Sequence, residues 1–132
     1  MEISVSQQQG RVPVTVLHIA GRINLGNASE VEQKAREIYQ DGSRNMIIDL
    51  SEVESLTSAG LRAIHIVYKF FRDAAPPETG NDALEERDPT SIKSPYIKLA
   101  GASPDIRRVL KIAGFELFLE TYDTVDEAVA SF

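Results

Sequence analysis

Met46–Leu50 (MIIDL) is a short apolar run with polar residues on both sides, the pattern of a strand buried in a parallel sheet. Such a strand needs helices to cover it, and its flanks supply them. Before it, Ala28, Val31, Ala35 and Ile38 recur at helical spacing, with Asn27 or Ser29 as a cap and Asp41-Gly42 as a stop. After it, Leu61, Ile64, Tyr68 and Phe71 form a second apolar stripe, on a helix that should begin near Thr57 or Ser58 and fade by Asp73.

The remaining chain extends the alternation. Glu2–Gln8 reads as a strand through Ile3 and Val5, and Gln9-Gly10-Arg11 as a turn. Val12–Ala20 reads as a more interior strand, with Val14, Val16 and His18 on one face and Thr15, Leu17 and Ile19 on the other, ended by Gly21. Tyr96–Ala100 is a further strand. Pro104 opens a helix with Ile106, Leu110 and Ala113 inward, closed by Gly114. Leu117–Leu119 reads as a short strand, and a last helix, capped by Asp123 or Thr124, buries Val125, Ala128, Val129 and Phe132. The order β-β-α-β-α-β-α-β-α predicts an α/β fold, a mixed and mostly parallel sheet with an antiparallel edge strand and about four packed helices. Residues 1–132 read as a single domain. Its one long insertion, residues 75–95, holds Pro76, Pro77, Pro89 and Pro95 beside Asp82, Glu85, Glu86 and Asp88. With no apolar period it is expected to be a flexible loop.

Composition narrows the function. A net charge of −6 argues against nucleic acid, which demands clustered Lys and Arg, and against a polybasic grip on membranes. The absence of cysteine excludes thiolate metal sites and suits a reducing compartment. With neither a signal-peptide pattern nor a run of the ~20 apolar residues a membrane helix needs, a cytoplasmic location is expected. Enzyme templates each fail on a named part. His18 and His65 lack metal-ligand spacing. GRINLG lacks the Lys-Ser/Thr of a phosphate loop, and Asp49 has no GxGxxG beside it. Ser58 in TSAGL is not a GxSxG serine. No cofactor, metal or catalytic activity is expected.

The segment that stands out is Asp49–Ile64, DLSEVESLTSAGLRAI. It reads as a buried strand, a short polar turn, and a helix opened by Thr57-Ser58 and followed by the small residues Ala59 and Gly60. Orphan N–H groups at a helix start favour negative charge, so a phosphoryl group on Ser58 would meet a receptive field. Adding roughly −1.5 to −2 charges there could switch a docking surface. The plainer role for either hydroxyl is a helix cap, worth ~1 kcal/mol.

This segment resembles the signature of anti-sigma-factor antagonists, the STAS-domain family, in which a strand leads through a Leu-Ser-x-Val turn to an Asp-Ser-Ser/Thr-Gly-Leu helix start. Here it stands as Leu50-Ser51-Glu52-Val53 and Thr57-Ser58-Ala59-Gly60-Leu61. Gly21–Ala28 is similar to the family's first turn, and Val109–Phe132 to its closing helix-strand-helix. The resemblance implies a regulator that binds an anti-sigma factor serine kinase when unphosphorylated, is released by phosphorylation at Ser58, and is reset by a phosphatase. It makes Ser58 the phosphoacceptor, with Thr57 a second candidate, and gives Asn24, Thr57, Ser58, Ala59 and Gly60 to the docking face. Thr57 and Asn24 stand where the family carries aspartates, and the 75–95 insertion replaces a short connection. An alternative within the resemblance is a phosphorylation-independent subunit of an ABC lipid-transport system or a stress-signalling scaffold.

Overall fold

The computed structural model describes residues 1–74 and 94–132, and the elements within them follow the alternation in the order foreseen. They are β1 (Glu2–Gln9), β2 (Pro13–Ile23), α1 (Ala28–Gln40), β3 (Met46–Leu56), α2 (Ser58–Ala74), β4 (Ile97–Ala100), α3 (Pro104–Ile112), a 3-10 turn (Phe115–Leu117), β5 (Glu120–Tyr122) and α4 (Val125–Ala130). The five strands form one sheet in the order β1-β2-β3-β4-β5. The hairpin β1–β2 is antiparallel, and every other neighbouring pair is parallel. The short Gly10 turn permits the antiparallel pair, whereas each parallel step requires a helical crossover.

The strand faces divide the core. Leu17, Ile19, Ile48, Leu50, Ile97 and Leu99 face α1, α2 and α3, meeting Val31, Ile38, Ile64, Phe71, Ile106 and Leu110. Val14, Val16, Ile47 and Ala100 face the other way and are covered by Ala128 and Val129 of α4. Burial on both faces explains why MIIDL carries almost no polar residue. Lys98 is buried as well. Its ammonium donates to Ser131 Oγ at 2.8 Å and to the Ser131 carbonyl at 3.0 Å, and pairs with Glu120 at 3.1 Å.

Several boundaries differ from those the patterns predict. Gly21 does not end β2, which continues to Ile23. Gly21 takes a φ of 95°, a conformation open to glycine, beside an irregularity in the pairing with β3. Nor is the polar stretch after Asp49 a turn, because β3 runs on to Leu56. Two bulges make this possible. His18 faces Asp49 while Ala20 faces Glu52, and Gly21 faces Val53 while Arg22 faces Ser55. At each bulge β3 spends one extra residue. Leu50, Val53 and Leu56 thus all enter the core at a spacing of three, where a regular strand allows two.

Ala113 is exposed at the C-cap of α3 rather than on its apolar stripe. The chain turns away there through Gly114, at φ 82°. The strand expected at Leu117–Leu119 is displaced to Glu120–Tyr122. Phe115 and Leu119 are both buried while Leu117 is exposed, and inward residues four apart call for a helical turn, not strand alternation. Of the predicted insertion, residues 75–93 lie outside the described residues. Ser94 is buried, its hydroxyl accepting the N–H groups of Tyr96 and Ile97, both at 3.1 Å.

Candidate functional site

The second helix is aimed by the strand before it. Leu56 anchors the end of β3 in the core, Thr57 turns the chain, and Ser58 is the first residue of α2. Ile64, Val67, Tyr68 and Phe71 bury the inner face of that helix, leaving its first turn at the molecular surface. Thr57 and Ser58 are exposed, Ala59 is half-buried and Gly60 is buried.

The two adjacent hydroxyls are in different situations. Thr57 is the cap: its hydroxyl accepts the Gly60 N–H at 3.4 Å and donates to the Ile23 carbonyl at 3.0 Å. The Ser58 side chain makes no hydrogen bond to the described residues. Gly60 is required by space. A Cβ there would lie 2.6 Å from Leu56 Cδ1 and 2.9 Å from Ile23 Cγ2.

Ile23 brings the second half of the site. It ends β2, and the turn Asn24–Asn27 follows directly. Asn24 Oδ1 accepts the Gly26 N–H at 2.9 Å, and the Asn24 N–H donates to Asn27 Oδ1 at 2.9 Å. Asn27 occupies the N-cap position of α1 but makes no side-chain bond to that helix. It reaches backward instead, donating to the Arg22 carbonyl at 2.9 Å. At the tip of this turn Leu25 is 86% exposed. The structure therefore brings Asn24, Thr57, Ser58, Ala59 and Gly60 to neighbouring turns at one end of the sheet, joined through the Thr57–Ile23 contact.

A different cluster was not visible in the sequence. On the face that carries α4, Ser6 Oγ lies 2.8 Å from His18 Nε2, and His18 Nδ1 lies 2.7 Å from Asp49 Oδ2. The other Asp49 oxygen accepts the Ser51 N–H at 3.0 Å. These are the distances of a nucleophile–base–carboxylate relay. Beside it lies a cleft of about 350 Å³ lined by Glu2, Ser4, His18 and Glu52, but not by Ser6. Its two carboxylates oppose the anionic oxygen that acyl transfer develops, so the chain of bonds reads as a tie across three strands. Among the described residues no group of three or more His, Cys, Asp or Glu could hold a metal ion, and no helix is long and apolar enough to cross a membrane.

This fold, a mixed five-stranded sheet with a bulged β3 feeding a glycine-containing helix start, is that of a recognised class. The sequence profile of the STAS domain matches residues 4–75, more than half of the chain, and the chain belongs to that family. The anti-sigma-F factor antagonist RsfB of Mycobacterium tuberculosis is 37% identical over 62 residues, which cover 47% of this chain and 48% of RsfB; the chain thus matches about half of that relative's length. An anti-sigma factor antagonist from Mycobacterium paratuberculosis superposes with a TM-score of 0.69 at 24% identity, covering 98% of this chain and 93% of that one. Bacillus SpoIIAA, an anti-sigma factor antagonist solved in unphosphorylated and phosphorylated forms, is similar in fold. The unphosphorylated form gives a TM-score of 0.56 at 14% identity and covers 98% of this chain and 96% of that one.

Proposed function

We propose that this chain is an anti-sigma factor antagonist, a binding module rather than an enzyme. Unphosphorylated, it docks on an anti-sigma factor serine kinase through Asn24, Thr57, Ser58, Ala59 and Gly60. The kinase phosphorylates Ser58, the complex parts, and a phosphatase resets the module. The observation that carries this reading is the Ser58 hydroxyl, exposed on the first turn of α2 and without a partner among the described residues, while its neighbour Thr57 is engaged in capping. The names of RsfB and of the structural neighbours support the assignment.

Physical chemistry supplies the switch. A phosphate on Ser58 places roughly −1.5 to −2 charges where the first helical N–H groups tolerate them. In the complex the same group would have to be desolvated against the partner, a cost that an unpaired anion does not recover. Phosphorylation thus leaves the fold intact and penalises the interface.

Affinity capture from native cells tests this, with the unmodified chain, Ser58→Ala and Ser58→Asp as baits. The first two should retain an ATP-binding serine kinase, and Ser58→Asp should hold it at least about tenfold more weakly, or about 1.4 kcal/mol. Equal retention by all three contradicts gating at Ser58. A second reading, a phosphorylation-independent subunit of a transport or scaffold assembly, is favoured by the uncharged Asn24 and Thr57. Recovery of an ABC ATPase in place of a kinase would establish it.

A further inference from the structure

Thr57 makes more bonds than a cap requires. Capping needs an acceptor for an early helical N–H, and Thr57 Oγ1 provides one to Gly60 at 3.4 Å. The same hydroxyl also donates to the Ile23 carbonyl at 3.0 Å. That carbonyl receives the Thr57 backbone N–H as well, at 3.2 Å, and the Thr57 carbonyl accepts from Leu61 at 2.9 Å. The acceptor on Ile23 belongs to the residue immediately before the Asn24–Asn27 turn. Side chains close the same contact from below, since Gly60 admits Leu56 and Ile23 where a Cβ would collide with both. The donated bond is what distinguishes the hydroxyl. A carboxylate at this position could cap Gly60 but has no proton for Ile23.

We propose that Thr57 is a positioning residue, its hydroxyl tying the Asn24–Asn27 turn to the first turn of α2 so that both present one rigid docking face. The biological consequence rests on the docking role proposed above; the tie itself does not. With its hydroxyl committed in two directions, Thr57 is a latch and Ser58 the acceptor. The spacing between Asn24 and Leu25 on one turn and Ser58 and Ala59 on the other is then fixed before a partner arrives, which lowers the ordering cost of binding.

Residue-resolved amide hydrogen exchange on the full chain, free of any partner, separates a tie from a simple cap. Thr57→Val removes both bonds and should speed exchange about tenfold at Gly60 and also at Gly26, Asn27 and Ala28, with Ile47 and Ile48 unchanged. Thr57→Ser should keep the protection of the unmodified chain. Thr57→Asp should protect Gly60 yet loosen the Asn24–Asn27 turn. Three results overturn the proposal. They are a Thr57→Val chain in which only Gly60 is affected, one in which β3 exchanges faster as well, and a Thr57→Ser chain that behaves like Thr57→Val. None of these depends on a kinase being found, so failure of the capture experiment leaves this test intact.

Discussion

Asp49 shows how much a single residue conceals in sequence. As a strand-end carboxylate it matches no catalytic motif, and His18, thirty-one positions away, matches no metal spacing. What joins them is register: β2 and β3 run parallel with His18 opposite Asp49, and the antiparallel hairpin brings Ser6 within reach of the same ring. Nothing in local composition specifies a cross-strand register, so this chain of bonds could be found only in the fold. Ser58 differs, because its surroundings are contiguous in sequence and its place at a helix start could be read directly. Asp49 is 8% exposed and bonds both His18 and the Ser51 N–H. Hydrogen bonds to charged groups carry about 1.5–3 kcal/mol. Asp49→Ala should therefore lower stability by about 2 kcal/mol, read as a shift of the urea midpoint at constant slope. A midpoint within error of the unmodified chain would show that this tie contributes nothing to the fold.

At the scale of elements, the order of strands and helices was legible because each helix keeps its apolar spacing and each central strand its apolar run. The ends of β2 and β3 were not. Leu50, Val53 and Leu56 fit neither alternation nor a helical stripe, so SEVES reads as a polar turn. Two bulges turn that spacing into a strand whose inward residues meet Ile19, Gly21 and Ile23 at a spacing of two on β2. A run of apolar residues three apart, opposite a partner with apolar residues two apart, was the available signal. The same geometry delivers Thr57 beside Ile23 and leaves Gly60 no room. Gly60→Ala would gain about 1 kcal/mol of helix propensity. Its Cβ, however, falls 2.6 Å from Leu56 Cδ1 and 2.9 Å from Ile23 Cγ2, and overpacking costs about 1–3 kcal/mol. The net expectation is destabilisation of about 1 kcal/mol, seen as a lower Tm. A rise in Tm would mean that Leu56 and Ile23 have slack that the packing does not suggest.

For the whole molecule, the sheet is a platform with unequal faces. Among the described residues, α1, α2 and α3 cover one side, and α4 covers part of the other. The Asn24–Leu25 turn and the Thr57-Ser58 entry to α2 are exposed at the edge of the platform, while Ala59 and Gly60 behind them pack on the core. A modification there need not disturb the fold that displays it, as a reversible switch requires. The proposed switch requires that Ser58 be modified in the cell, which phosphopeptide mass spectrometry of the protein from its native cells reads out. Trypsin should release residues 45–62, which carry Ser51, Ser55, Thr57 and Ser58 together. Phosphate is expected on Ser58, at an occupancy that changes with growth condition, and none on Thr57. Full coverage of this peptide with no phosphate under any condition, or phosphate on Thr57 alone, would contradict it.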